Sequence, residues 1–266
     1  MDKKTVIMED LKRKAAFIKK AYLENELIAI FLQGSQNYGL DDEKSDIDAK
    51  AFVIPTVRQL IRNEMVNKLL VLDDQSHIEV KDIRLMISLL DKSNPPYLEL
   101  LYTEYCIIYN ESFYDVLSLR DDIAEANKKA FYKAISGMIN QKARQAYVKR
   151  PGNSKEFDNF GVDVKAISHL YRFIDMAMQL MNGVPFHKAL IPADREKIMK
   201  IKRGRIIFPK QKIDDDLFIY TQKIEDYIEH MNFERDDDIL KKVNDIIENM
   251  IIFSIHHNSM NKEETK

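Results

Sequence analysis

The spacing of apolar residues changes character part-way along this chain. In the first 120 residues they come as short runs and alternations. Residues 8–23 place Leu11, Ala15, Ile18 and Tyr22 at helical spacing among Lys, Arg and Glu, which predicts an amphipathic helix leading into the first strand. Residues 27–32 form an unbroken apolar run, the pattern of a buried strand. From Asp46 onward, Ile47, Ala49, Ala51 and Val53 alternate with Asp46, Asp48 and Lys50, which predicts a strand with one core face and one polar face. Pro55 ends that run, and Thr56 caps a short helix through Val57, Leu60 and Ile61. Residues 69–72 and 76–81, on either side of Asp73-Asp74-Gln75, read as two strands about a turn, with His77, Glu79 and Lys81 opposite the core-facing Ile78 and Val80. A helix at 83–92 follows, broken by Ser93-Asn94-Pro95-Pro96 with Asn94 as a turn residue, and then a second short helix at 97–102. From about Asp121 no strand pattern remains. Helical stripes run on through 217–231 and 239–255, Pro151-Gly152-Asn153-Ser154 marks a loop, and His256-His257 with 258–266 reads as a fraying tail. The pattern predicts an α+β domain over 1–120 followed by an all-α domain over 121–266.

Composition narrows the class without naming a chemistry. The 266 residues suffice for a sizeable core, and 45% hydrophobic with 32% charged residues is ordinary for a globular chain. The net charge of −2 gives no global mark of a nucleic-acid partner, so any such signal is local. The single cysteine, Cys106, has no partner for an internal disulfide and sits beside Ile107 and Ile108, as a buried thiol in a reducing cytoplasm would. No apolar stretch reaches membrane-spanning length and the N-terminus lacks a signal-peptide core, so a cytoplasmic protein with no membrane partner is expected. Residues 126–155 contain eight basic side chains and no acid, and 197–212 are a second acid-free basic stretch, with Asp214-Asp215-Asp216 as a negative counterpart. Such stretches suit polyphosphate or RNA, although solvated faces look the same.

Candidate chemistry gathers where the first strand ends. Gly34-Ser35 lets the backbone approach a ligand and offers a hydroxyl. After a polar loop through Asp41, Asp42, Glu43 and Lys44, Asp46 and Asp48 leave one face of the next strand. Two like charges held together there call for a divalent cation, and carboxylates with substrate phosphates are ligands that Mg²⁺ takes. Glu79 shares the polar face of a later strand and is the third candidate carboxylate; Asp82 competes, but falls on the core-side parity and precedes a helix, where it suits an N-cap. Further on, Lys165, His169 and Arg172 recur at i, i+4 and i+7 on one helix face, a possible row of cations for a triphosphate or a nucleic-acid backbone.

The apolar strand, Gly34-Ser35, the ten-residue spacer and Asp46-x-Asp48 together resemble the signature of the DNA polymerase β-like nucleotidyltransferases. The phrase from Glu79 through Leu101, with 165–172 and Arg203-Gly204, resembles a subgroup of predicted bacterial and phage nucleotidyltransferases linked to RNA repair. That resemblance implies a palm domain of small mixed sheet and flanking helices, closed over by the helical domain. It implies an NTP substrate, two Mg²⁺ (or Mn²⁺) ions on Asp46, Asp48 and Glu79, and phosphate contacts from Gly34 and Ser35. RNA is the implied acceptor. Lys50, on the carboxylate face, is a departure that reads as either a phosphate contact or charge balance. Two other readings stand beside this one: transfer to a protein hydroxyl, as in some toxin–antitoxin relatives, and a binding module that no longer catalyses.

Overall fold

The computed structural model describes residues 2–42 and 45–263; Glu43 and Lys44 of the expected polar loop, and residues 264–266 of the expected tail, lie outside them. The first helix, α1 (Lys3–Ala21), is capped by the Asp2 carboxylate on the Thr5 N–H and buries Ile7, Leu11, Ala15 and Ile18. Strand β1 (Leu27–Gln33) follows, then a 3₁₀ turn (Ser35–Tyr38) and β2 (Asp48–Val53). Helix α2 (Val57–Ile61) starts in a reciprocal capping box between Thr56 and Gln59. The hairpin of β3 (Asn67–Val71) and β4 (His77–Asp82) is followed by α3 (Arg84–Asp91), α4 (Pro95–Leu100) and β5 (Cys106–Ile108).

These strands form one mixed sheet in the order β3-β4-β2-β1-β5, with β2 and β4 parallel and the other pairs antiparallel. Alternation sends Ala49, Ala51, Val53, Ile78 and Val80 to the face that α1 covers. Phe31 and Phe52 go to the other face and enter the main core, where they meet edge-on at 6.0 Å. Helix α1 also fixes how β2 begins. Lys14, fully buried, pairs with Asp10 and donates to the carbonyl of Ile47, the residue before the strand.

Among the described residues no strand follows Ile108. Helices α5 (Phe113–Ser118), α6 (Arg120–Ala126), α7 (Lys128–Gln145), α8 (Ser154–Phe160), α9 (Val164–Met181), α10 (Phe186–Ala189), α11 (Arg195–Lys202), α12 (Lys210–His230) and α13 (Asp237–Glu263) complete the chain. The fold is therefore α+β with a helical C-terminal region, as the apolar spacing predicts. The core makes no break at residue 120: Phe31, Phe52 and Leu98 belong to the same buried cluster as Phe131, Ile167 and Ile174. Helix α13 packs back on α3, α5 and α6. The expected fraying from residue 258 is replaced by helix through Glu263. No helix among the described residues is long and apolar enough to cross a membrane.

Candidate functional site

At the end of β1 the chain turns through Gly34, whose φ of 111° and ψ of −163° lie in a region open to glycine. The 3₁₀ turn that follows is pinned from several sides. Asn37 donates to the Leu32 carbonyl at 3.0 Å, and Thr103 donates to the Asn37 side chain at 2.7 Å. The Gln36 amide donates to the Asp46 carbonyl at 2.7 Å, tying the turn to the far end of the loop.

Ser35 and both aspartates open onto one cleft of about 560 Å³. Its palm-side wall includes Gly34, Ser35, Asp46, Asp48, Leu69, His77 and Glu79; its helical wall includes Lys165, Ser168, His169 and Lys202. Asp46 differs from expectation in one respect: β2 begins at Asp48, so Asp46 lies in the preceding loop rather than on the strand. β1 pairs only as far as Gln33 opposite Asp48, and past that point the chain has turned away, so among the described residues no strand residue stands opposite Asp46. Its carboxylate receives no hydrogen bond or ion pair from any described residue, while Asp48 accepts from the His77 N–H at 3.1 Å and has the His77 Nδ1 at 3.3 Å.

Glu79 shares the cleft with the aspartates, and Asp82 does not. Asp82 is wholly buried, takes the Arg84 N–H at 3.0 Å and pairs with the Arg84 guanidinium at 2.7 Å; it ends β4, and the N-cap position of α3 falls instead on Ile83. Lys50 lies opposite Glu79 in the β2–β4 register, with its Nζ 3.3 Å from Glu79 Oε2; Lys81 Nζ approaches the same oxygen at 3.4 Å. Burial opposes the Glu79 charge, but Lys50 and then Lys81 outweigh it and hold the carboxyl below the usual glutamate range. Lys50 is only 4% exposed, and burial lowers its own pKa against the pull of Glu79. Lys50 is thus paired with Glu79 and does not line the cleft.

Two of the three expected helix cations change role. Lys165 and His169 face the cleft; Arg172 is buried beneath it. Its guanidinium donates to Glu99 Oε1 at 2.8 Å and stacks 3.9 Å from the Tyr38 ring centre, while the Tyr38 hydroxyl donates to the other Glu99 oxygen at 2.5 Å. Arg172 thus joins α9, α4 and the 3₁₀ turn and does not line the cleft. Burial, reinforced by Arg172, Lys142, Lys165 and Lys202, pushes the His169 imidazole down to about 3, so it is neutral near pH 7.

Lys202, at the end of α11, was not singled out by any spacing and belongs to the site. Its Nζ donates to the Leu40 carbonyl at 2.7 Å and to Ser45 Oγ at 3.3 Å, and Ser45 Oγ lies 3.5 Å from Ser35 Oγ. Arg195, on the same helix, donates to the Gly39 carbonyl at 2.7 Å. Elsewhere the basic stretches are neutralised in part, by Lys128–Glu125, Lys149–Asp158, Arg150–Asp163, Lys200–Glu196, Lys210–Asp214 and Lys212–Asp216. Among the described residues, no three His, Cys, Asp or Glu side chains are gathered closely enough to form a ready metal cage.

A family model described as "RNA repair pathway DNA polymerase beta family" matches residues 6–204. No curated protein matches the chain. A solved nucleotidyltransferase-like protein from Exiguobacterium sibiricum 255-15 is similar over 84% of this chain and 74% of its own, at 13% identity and a TM-score of 0.29.

Proposed function

The chain belongs to the RNA repair pathway DNA polymerase β family, and from that premise we propose that it transfers a nucleoside monophosphate from an NTP to a hydroxyl of RNA, releasing pyrophosphate. The observation that carries this reading is the single cleft in which the Gly34-Ser35 turn, Asp46, Asp48 and Glu79 face Lys165 and Lys202. An all-oxygen pair with one carboxylate unclaimed by any described residue fits a hard divalent ion, Mg²⁺ or Mn²⁺, that completes its shell with substrate phosphates. When bound, such an ion neutralises phosphate charge and lowers the pKa of the attacking hydroxyl.

The chain's own side chains then divide the work. Ser35, with the side-chain-free backbone at Gly34, receives the terminal phosphates, and Lys165 and Lys202 supply the charge that the leaving pyrophosphate requires. Glu79, ionised and fixed by its lysines, stands on the same face as Asp48 to accept the proton of the acceptor hydroxyl. His169, neutral, contributes a hydrogen bond rather than a charge.

The test is to incubate the protein with each α-labelled NTP and Mg²⁺, with and without a pool of small RNAs, beside Asp46→Asn and Asp48→Asn. Label should move to RNA with the wild type only, and each substitution should cost at least ~10²-fold in turnover while leaving the melting curve in place, because shape is kept and only charge is lost. Turnover near wild type in either pure variant would overturn the assignment. Label on a polypeptide with no RNA present would move the acceptor to a protein hydroxyl.

A further inference from the structure

Glu79 does not fit the part of a metal ligand. Parallel pairing of β2 and β4 sets Lys50 directly across from it, and alternation brings Lys81 to the same face. Both ammonium groups converge on one oxygen, Glu79 Oε2, at 3.3 and 3.4 Å. Lysine ordinarily swings its charge out to water. Lys50 has no such exit: it is enclosed in the sheet, with its Nζ 4.5 Å from the centre of the Tyr97 ring. A divalent ion bound by Glu79 would share a poorly screened site with two like charges. Drawing Glu79 away from Lys50 would leave a buried ammonium without its counter-ion. Asp46 and Asp48 are the contrast: among the described residues neither is ion-paired to a Lys or Arg, and the Asp48 carboxylate is held by His77.

We infer that Lys50 supplies, as a fixed ammonium group, the charge a second divalent ion would otherwise bring to the Glu79 side of the cleft, so that the chain binds one divalent ion, through Asp46 and Asp48. Lys50 is then a positioning residue: it holds Glu79 ionised and in place for the acceptor hydroxyl. The inference rests on the Asp46–Asp48 reading. One or two carboxylates with substrate phosphates make a complete Mg²⁺ site, so a single-ion arrangement leaves no ligand missing.

The test is a Mn²⁺ titration of the full chain without nucleotide, following the free-ion signal by electron paramagnetic resonance, after melting curves have shown each variant to be folded. The wild type should bind one Mn²⁺. Glu79→Gln should bind it within about twofold of wild-type affinity, and Asp48→Asn should weaken it by at least about tenfold. Lys50→Met should acquire a second ion; Lys81→Met, at a more exposed position, carries the same expectation if Lys50→Met does not fold. Two ions on the wild type, a tenfold loss in Glu79→Gln, or no second ion in any folded lysine variant would overturn this inference alone. No Mn²⁺ on the wild type would overturn the Asp46–Asp48 reading and this inference together.

Discussion

The ion pair between Glu99 and Arg172 joins the sheet half of the molecule to the helical half, and breaking it should be costly. The two side chains are 7% and 3% exposed and 2.8 Å apart, so water neither screens the pair nor would replace either partner. Arg172 also has its Nε buried without a partner, which leaves Glu99 and the Tyr38 and Phe173 rings as its compensation. Glu99→Gln keeps the shape and removes the charge. Stranding a buried guanidinium in this way costs about 3–5 kcal/mol, and at ~2–4 °C per kcal/mol for a chain near this size the melting point falls by roughly 6–20 °C. Circular dichroism against temperature and urea measures both quantities. Arg172→Met should lose a comparable amount by stranding the carboxylate. The triple variant Tyr38→Phe, Glu99→Leu, Arg172→Met removes every member at once and should recover to within about 2 kcal/mol of wild type, because no buried charge is left alone. A Glu99→Gln cost below about 1 kcal/mol, the scale of a solvated surface pair, would refute the desolvation argument.

Three further outcomes follow from the site. His169 has its pKa depressed from the ordinary histidine value of 6.5 to about 3, so below pH 6.5 the unfolded chain takes up a proton that the folded chain does not. Its contribution to stability is therefore present above pH 6.5 and lost as pH falls toward 3, at about 1.4 kcal/mol per pH unit; urea unfolding of wild type and His169→Gln between pH 6.5 and 5 should differ by that slope. Lys202→Met keeps the aliphatic stem and removes the charge, and should raise the NTP KM by about tenfold, the cost of one charge-assisted hydrogen bond, with a smaller effect on kcat in steady-state assays. Gly39 has a φ of 63°, and a Cβ there would lie 2.6 Å from the Arg195 guanidinium, so Gly39→Ala should cost about 1–2 kcal/mol for the backbone alone and release the Arg195 clamp, read as lower thermal stability.

The sheet and the two aspartates were legible because their signals are local: an apolar run, a glycine at a turn, and an alternation of period two. The same parity that put Glu79 on the cleft face put Asp82 inside, and both sit where it says. Parity overreached at Asp46, because alternation alone does not reveal where the partner strand stops. Arg172 was misplaced for a different reason. Helix α9 is buried on most of its circumference, so residues seven apart share a face without sharing a neighbour: Lys165 meets the cleft and Arg172 meets Glu99. The depressed pKa of His169 comes first from its burial and then from Arg172, Lys142, Lys165 and Lys202, brought together from separate places in the chain, which no spacing encodes. Lys202 was hidden among six other basic residues of 197–212, and only the packing of α11 on α9 singles it out. The tail from 258 is polar enough to read as frayed, yet it lacks glycine and proline, and the helix runs on to Glu263.

The return of α13 to the sheet half bears on how the molecule comes into being. Met250 and Ile251 enter the same core as Phe31 and Phe52, and the Ser254 hydroxyl donates to the Glu26 carboxylate at 2.5 Å across 228 residues of chain. On the ribosome the strands and their first helices are made long before that last helix exists, and their apolar face at α3, α5 and α6 waits uncovered throughout. The part of the chain that carries the aspartates is thus not finished by its own sequence. It is closed by a helix that comes 228 residues later along the chain, and a contact of such long range is among the slowest to form.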